Sequence, residues 1–273
     1  CMESTDTTEV RYVPVGEAPA SPRVILPRCP EVRYDVDDAE HDWIIRTNEA
    51  APDFRIVRVP MAAAMDRSAW IEWIPHAAGT VLADFEVFRT HLAVGERVNG
   101  VARVRVVRGD GVTAQVLEPP AAGGLWLGAN PDPSSSRLRY AFSTLKDPMT
   151  TEEIDVTTGG VQRLRVEPVG GGFDAHRYET ERRWIEARDG TRVPVSLLWR
   201  RGAPAPAPLL VTGYGAYGLV EEPQFDPSWL PLVDRGVLIA LVHVRGGGEL
   251  GRSWHDAGRA EHKHRSFEDL VDG

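Results

Sequence analysis

Strand-like hairpins recur at a nearly fixed interval through residues 1–178, and this periodicity limits the folds open to the chain. One such stretch begins near Trp43 and has counterparts near His91 and Leu138, at intervals of 48 and 47 residues. Each alternates apolar and polar residues, the pattern of a half-buried strand, and opens a hairpin that ends in a polar turn. Four-stranded propeller blades repeat every 40 to 50 residues or so, which favours a β-propeller. A β-sandwich with evenly spaced strands is the alternative.

Turn-forming residues separate these strands, and no stretch in this region has the pattern of a long amphipathic helix. The predicted strands are TEVRYVPV (8–15), DWIIRTN (42–48), FRIVRVP (54–60), THLAVGERVN (90–99), ARVRVV (102–107), LRYAFST (138–144) and VQRLRVEP (161–168). Three blades cannot close a ring. We therefore expect further blades to precede Cys1 in a longer protein.

The pattern changes after about residue 178, and residues 179–273 are predicted to start an α/β domain. ERRWIEAR (181–188) and TRVPVSLLWRR (191–201) form a hairpin around Asp189-Gly190. Two fully apolar strands follow, PLLVT (208–212) and VLIALVHV (237–244), with a predicted helix at 228–236 between them. A helical crossover between two apolar strands indicates parallel pairing. A last helix is predicted from about Glu261 to Asp272.

Composition narrows the classes of partner. The chain has 42 % hydrophobic and 26 % charged residues, as globular proteins do. Its net charge of −9 argues against nucleic acid and against an anionic membrane surface as a partner. Two cysteines, Cys1 and Cys29, are too few for a disulfide framework. A reducing compartment fits best, and we expect a cytoplasmic protein.

The segment LLVTGYGAYG (209–218) joins an apolar strand to a G-x-G-x-x-G pattern. A dinucleotide-binding turn would require a helix after Gly218, which Pro223 and Pro227 would interrupt. Alternatively, Gly213 and Gly215 present Tyr214 at the strand ends, where its hydroxyl donates to a developing oxyanion. A tyrosine packed on the sheet with its hydroxyl bound to a carbonyl is the structural alternative.

Other chemistry-bearing residues have structural explanations. His262 and His264 are two apart, so on a helix they point about 200° apart and cannot share an ion. We expect no metal and no cofactor.

The turn RGGGELG (245–251) lacks the G-K-[ST] ending of a phosphate loop, and Arg245 and Glu249 are predicted to belong to structural ion pairs. His243 is predicted to be a hydrogen-bonded core residue. The tryptophans predicted to fill blade or hairpin cores are Trp70, Trp73, Trp126 and Trp184.

Several long stretches resemble the prolyl oligopeptidase family of serine peptidases. They are YGAYG (214–218), DRGVLIALVHVRGGGELGRSWHDAG (234–258) and KHRSFED (263–269). TERRWIEARDGTRVPVSLLWR (180–200) and NPDPSSSRLRYAFSTL (130–145) resemble its oligopeptidase B branch. The resemblance implies a seven-bladed propeller that restricts access to an α/β-hydrolase domain with a Ser-Asp-His triad. It also implies cleavage of short peptides after arginine or lysine.

The resemblance assigns two site residues within this chain. Tyr214 falls on the oxyanion-hole tyrosine, and Glu222 on an acidic residue that helps to bind a basic residue next to the cleavage point. Gln224 stands where the branch has a second acidic residue, which puts that preference in doubt. A G-x-S-x-G nucleophile elbow is absent from residues 1–273. We therefore expect an internal piece, containing only the C-terminal blades and the opening of the hydrolase domain, that is inactive alone.

Three functions from different classes remain open at this point. The first is a serine oligopeptidase acting on short peptide substrates. The second is a non-catalytic propeller module that binds protein partners, and the third is an α/β-hydrolase that cleaves esters. The sequence does not indicate an oligomeric state.

Overall fold

A computed structural model gives the fold of residues 1–4, 6–16 and 21–273. The chain begins with four short strands that form two antiparallel pairs, β1 with β2 and β3 with β4. They are β1 (Met2–Glu3), β2 (Thr8–Glu9), β3 (Arg11–Tyr12) and β4 (Arg23–Val24). The stretch predicted as one strand at 8–15 is thus two short strands.

Three four-stranded antiparallel sheets follow, each with its strands in sequence order. The first contains β5 (Tyr34–Ala39), β6 (Asp42–Thr47), β7 (Arg55–Pro60) and β8 (Ile71–Ile74). The second contains β9 (Thr80–Val87), β10 (His91–Val98), β11 (Val101–Arg108) and β12 (Thr113–Leu117). The third contains β13 (Gly123–Leu127), β14 (Arg137–Thr144), β15 (Thr150–Asp155) and β16 (Val161–Val166). The second strands β6, β10 and β14 carry the predicted repeat.

The three sheets stack face to face, with a core between each neighbouring pair. Ile44 and Ile56 of the first sheet pack against Leu92 and Val94 of the second. The opposite face of the second sheet packs against the third, with Ala93 in that core. Successive residues of a strand point to opposite faces, so a sheet covered on both sides buries consecutive residues. A two-sheet sandwich is therefore wrong, because it has no sheet covered on both faces.

A fourth sheet has the strand order β17-β18-β20-β19. Its strands are β17 (Tyr178–Glu186), β18 (Arg192–Arg200), β19 (Leu209–Thr212) and β20 (Leu238–Val242). The two apolar strands β19 and β20 pair in parallel, as predicted, while the β17–β18 hairpin joins them antiparallel through β18. The inner strands β18 and β20 are covered on both faces, whereas the apolar strand β19 lies at the edge of the sheet.

The helices of this last part are shorter than predicted. α1 (Leu230–Val233) covers four residues of the predicted 228–236, α2 (Arg252–Asp256) follows the RGGGELG turn, and α3 (His264–Asp272) ends the chain. Single 3₁₀ turns lie at Met61–Ala63, Arg67–Ala69, Ala175–Arg177 and Ala260–His262. No helix in the described ranges combines the length and the apolarity that crossing a bilayer requires.

The tryptophan prediction is confirmed for Trp70 and Trp73, which pack against blade cores, and is wrong for Trp184. Trp184 is 38 % exposed and lies beside the guanidinium of Arg192, while Trp70, Trp73 and Trp126 are half-buried. Among the described residues, the buried tryptophans are Trp43, which is 7 % exposed, and Trp254, which is 8 % exposed. Tryptophan is seldom buried completely because it is large, so its presence in a strand does not place it in the core.

Candidate active site

The glycine turn at 213–218 is pressed against the end of β20, and this contact explains its glycines. A Cβ on Gly213 would lie 2.6 Å from the carbonyl oxygen of Val242. A Cβ on Gly215 would lie 2.2 Å from a methyl of Val244, and the φ of Gly215 is +60°. Only glycine fits such a close approach. The carbonyl of Gly215 also accepts a hydrogen bond of 2.5 Å from Lys263 Nζ.

Tyr214 lies between these two fixed glycines, and its side chain is 52 % exposed. Within residues 1–4, 6–16 and 21–273, its hydroxyl forms no hydrogen bond to the protein. The packed alternative, in which the hydroxyl binds a carbonyl, is therefore not the one observed. The phenol is held by its backbone and is free to donate to a group outside the described chain.

The residues after Gly218 do not form the helix of a dinucleotide-binding turn. They are irregular through residue 226, and the next helix is α1, which begins at Leu230. A pyrophosphate site needs free N–H groups at a helix N-terminus directly after the glycines. That condition is not met.

The turn 245–251 packs backbone to backbone against the glycine turn. Gly248 N–H donates to the carbonyl of Leu219, and Gly246 accepts from Gly218 N–H, at distances of 3.1 Å each. The N–H of Gly246 donates to Trp254 at 3.0 Å. Because these N–H groups are used internally, the turn cannot cradle a phosphate. Its function is to support the loop that carries Tyr214.

Arg245 joins this turn to α3 through a buried ion pair, as the sequence predicted. Its guanidinium contacts the Asp269 carboxylate at 2.6 Å and the Asp189 carboxylate at 2.5 Å, and its backbone N–H donates to Asp269 at 2.9 Å. The hydrogen-bonded Asp269 carboxylate raises the pKa of Arg245, and Arg245 in turn holds the pKa of Asp189 well below its usual range. The three residues fix α3 and the β17–β18 hairpin against the end of β20.

Ser196, His243 and Glu249 form a buried group that superficially matches a Ser-His-acid triad. Ser196 Oγ lies 2.8 Å from His243 Nε2, and His243 Nδ1 lies 3.9 Å from Glu249 Oε1. However, Ser196 is 1 % exposed in the middle of β18, paired across to Leu241 of β20. A nucleophile must reach its substrate. The group is structural, and His243 is the predicted hydrogen-bonded core histidine.

The predicted ion pair of Glu249 is a long one: its Oε1 lies 3.9 Å from His243 Nδ1, a pair that is ionic only when the imidazole is protonated. The Glu249 carboxylate also accepts a hydrogen bond of 3.0 Å from the backbone N–H of Glu221. Burial raises the pKa of Glu221, and the adjacent Glu249 carboxylate raises it further. Sequence analysis did not single out Glu221 as a buried carboxylate. The only local signal for it was its position next to Glu222.

Glu222 forms an ion pair with a residue that the sequence did not single out. Its Oε1 accepts from Arg97 Nε at 3.1 Å and from Arg97 Nη2, across a separation of 125 residues along the chain. The Glu222 side chain is only 7 % exposed. Gln224 is exposed. Nothing in the sequence around Arg97 marks this contact, because it depends on how the second sheet meets the α/β part.

No group of three or more His, Cys, Asp or Glu side chains in the described ranges is arranged to hold a metal ion. His262 lies in the 3₁₀ turn before α3, and His264 is the first residue of α3. Cys1 and Cys29 are exposed free thiols.

Comparison with known proteins gives this architecture a family. A family model for the prolyl oligopeptidase N-terminal β-propeller domain matches residues 1–167, and one for the prolyl oligopeptidase family matches residues 223–273. The chain belongs to the prolyl oligopeptidase family. Its members are serine peptidases. The three stacked sheets are therefore part of this family's propeller domain, followed by the start of its hydrolase domain.

Individual relatives match nearly the whole chain. It is 38 % identical to dipeptidyl aminopeptidase BI of Pseudoxanthomonas mexicana, over 99 % of this chain and 38 % of that protein. It is 32 % identical to protease 2 of Moraxella lacunata, over 98 % of this chain and 39 % of that protein. The chain thus spans about two fifths of the length of these relatives.

A solved structure shows the same arrangement of elements. Oligopeptidase B from Trypanosoma brucei, with covalently bound antipain in a closed form, matches with a TM-score of 0.88 at 30 % identity, over 99 % of this chain and 40 % of that one. Oligopeptidase B from Leishmania major also matches with a TM-score of 0.88 at 30 % identity, over the same shares of the two chains.

Proposed function

We propose that this chain is part of a serine oligopeptidase that hydrolyses short peptides after arginine or lysine. Membership of a serine peptidase family and the likeness to oligopeptidase B support this reaction class. The full protein supplies the serine nucleophile and its histidine and aspartate partners, which residues 1–273 lack in a G-x-S-x-G context. The segment alone is inactive, because acyl transfer requires an activated nucleophile.

The domain division belongs to the same proposal. Residues 1–178 are the C-terminal blades of a seven-bladed propeller, and residues 179–273 are the N-terminal part of the peptidase domain. The order of elements supports this division: the third sheet is followed at once by β17 of the mixed sheet, with no further repeat between them. The low cysteine count, two in 273 residues, supports a reducing, cytoplasmic location.

The observation that carries the proposal is the free hydroxyl of Tyr214 on a turn whose glycines cannot be replaced. In the acylation step, the serine attacks the scissile carbonyl, and the carbonyl oxygen gains negative charge. Tyr214 donates a hydrogen bond to that oxygen, and its fixed backbone means that little reorganisation is needed. Its partial exposure lets a substrate reach it.

Glu222 is the acidic group of the subsite for the residue preceding the cleaved arginine or lysine. Its companion position holds the neutral Gln224. A preference for a basic residue at this subsite is therefore not part of the proposal.

The test uses the full-length protein and the segment 1–273 side by side. We expect the full-length protein to hydrolyse an N-blocked arginyl aminocoumarin amide and to be labelled by a fluorophosphonate, and the segment to do neither. Absence of turnover and labelling in the full-length protein would favour the interaction module. Turnover of p-nitrophenyl esters but not of amides would favour the esterase.

A further inference from the structure

The acidic subsite is already occupied by a cation from the propeller. Arg97, the seventh residue of β10, extends its guanidinium to Glu222, with Nε 3.1 Å from Oε1 and Nη2 also in contact. The Arg97 side chain is 13 % exposed and that of Glu222 is 7 % exposed. A charge pair this shielded from water is held more strongly than a surface pair.

A second arginine adds to the positive charge that balances Glu222. Arg182 on β17 interacts electrostatically with both Glu222 and Glu249. Its Nη2 donates a long hydrogen bond of 3.5 Å to the carbonyl of Asn99, in the turn between β10 and β11 of the second sheet. The negative charge of Glu222 is therefore balanced by the direct contact with Arg97 and by the nearby charge of Arg182.

A basic substrate side chain would have to displace Arg97 to reach the carboxylate. That exchange replaces one cation by another, so it yields little net electrostatic gain. Gln224, the exposed residue of the same segment, carries no charge that could take over.

We propose that Arg97 determines substrate specificity by masking Glu222, so that the enzyme does not select a basic residue immediately before the arginine or lysine at the cleavage point. Arg97 is a specificity-determining residue supplied by the propeller. This inference rests on the proposed oligopeptidase function. It predicts a peptidase that accepts uncharged residues at that position as readily as basic ones.

The test compares two N-blocked substrates, Arg-Arg and Ala-Arg aminocoumarin amides, with the full-length protein. Blocking the N-terminus leaves one differing positive charge, that of the first side chain. The measured quantity is the kcat/KM for the Arg-Arg substrate divided by the kcat/KM for the Ala-Arg substrate. For the wild type we expect a ratio within about threefold of one, and for R97Q a rise of at least about fivefold, the order expected for one partly desolvated charge pair.

Two further variants assign the effect to the pair. R97Q/E222Q should return the ratio to the wild-type value, because the unmasked carboxylate is gone. R103Q removes an arginine from the same sheet that contacts Glu96, which keeps Arg105 as a partner. It changes the net charge equally and should leave the ratio unchanged.

Two results would overturn the inference while leaving the proposed function intact: a wild-type ratio above about ten, or cleavage by R97Q with an unchanged ratio. If neither substrate is cleaved by the wild type, the proposed function fails and the inference fails with it. If R97Q does not fold, the variant E222Q tests the inference instead. If Arg97 masks Glu222, the ratio for E222Q should lie within about twofold of the wild-type ratio, whereas a fivefold or larger fall contradicts masking.

Discussion

The position of Tyr214 depends on the two glycines next to it, Gly213 and Gly215. The glycines on either side allow the backbone to touch the end of β20, while the Tyr214 side chain between them stays 52 % exposed. The hydroxyl then has no partner in the part of the chain that the structure describes. Since the Tyr214 side chain is exposed and its hydroxyl is not committed to a protein acceptor in those ranges, the hydroxyl is accessible to a ligand.

Replacing Tyr214 by phenylalanine in the full-length enzyme should slow acylation by about 10²–10³-fold, as loss of one oxyanion-hole donor does elsewhere. The loss should appear in kcat more than in KM, because the hydrogen bond strengthens as negative charge develops. The measurement is single-turnover acylation with an arginyl amide whose chemical step limits the rate.

Tyr217→Phe is the matched control, since Tyr217 lies on the same turn, is 75 % exposed and loses the same hydroxyl. We expect its acylation rate to stay near that of the wild type. Equal rates for wild type and Tyr214→Phe would mean that Tyr214 only packs on the turn.

Strand β10 shows the same dependence on surroundings at the scale of an element. The apolar residues that alternate along it serve different cores: Leu92 and Val94 face the first sheet, and Ala93 faces the third. The strand begins with His91, which is 3 % exposed and stacks on Phe88 at 4.2 Å between ring centroids. Its Nε2 has no hydrogen-bond partner among the described residues.

Burial lowers the pKa of His91, because the charged imidazolium would lose its hydration. The folded state therefore binds fewer protons than the unfolded state between the lowered pKa and the unfolded value of about 6.5. Stability from His91 is complete above about pH 6.5 and is lost as the pH falls toward the folded-state pKa.

The His91→Gln variant should lack this acid-sensitive contribution. We expect hydrogen exchange of the β10 amides to accelerate between pH 7 and pH 5 in the wild type, after correction for the intrinsic rate, and to change less in the variant. His41, which is exposed in the turn between β5 and β6, provides the control His41→Gln. The same pH dependence in wild type and His91→Gln would show that other groups cause it.

At the scale of the whole molecule, the propeller sheets and the α/β part are joined by a few specific polar contacts. Asp53 accepts from the backbone N–H of Arg252 at 2.7 Å, and Ser143 accepts from the N–H of Phe225 at 3.0 Å. The Arg97–Glu222 pair is a third such contact. These contacts position the loop of Tyr214 against the propeller, so the propeller contributes to the candidate site.

The α/β part also has an open edge. β19 is an edge strand of the mixed sheet, with Leu209 53 % exposed and Leu210 38 % exposed, and α3 exposes Phe267 and Val271 at 63 % and 75 %. Unpaired strand edges with apolar neighbours promote association between chains. The segment 1–273 alone should therefore self-associate.

Light scattering coupled to gel filtration checks this expectation by measuring the molar mass of the segment at increasing protein concentration. The variant L209K/L210K, which places charges on the edge strand, should reduce the association. A segment that stays monomeric at high concentration would show that the edge is harmless.

Local pattern determined much of this protein. The period of two along the strands and the interval between hairpins predicted the three stacked sheets, and the apolar strands around 210 and 240 predicted a parallel pair. Several strands were missed, among them β5, β9, β13 and β15. Acidic residues weaken the alternating pattern in β5 (YDVDDA), β9 (TVLADFEV) and β15 (TTEEID), and two glycines begin β13 (GGLWL). These segments are strands because neighbouring strands supply hydrogen bonds.

The sequence by itself also determined the glycine turn and the tyrosine it presents, since these depend on steric rules that act within a few residues. Only the tertiary structure decided which charged side chains are paired within the protein and which can act on a substrate. Arg97 meets Glu222 across 125 residues, and His243 meets Ser196 across 47. Such pairs depend on how separate sheets pack together. Side-chain partners and burial, which decide whether a charge can act on a substrate, are therefore set by the fold and are not written in any local stretch.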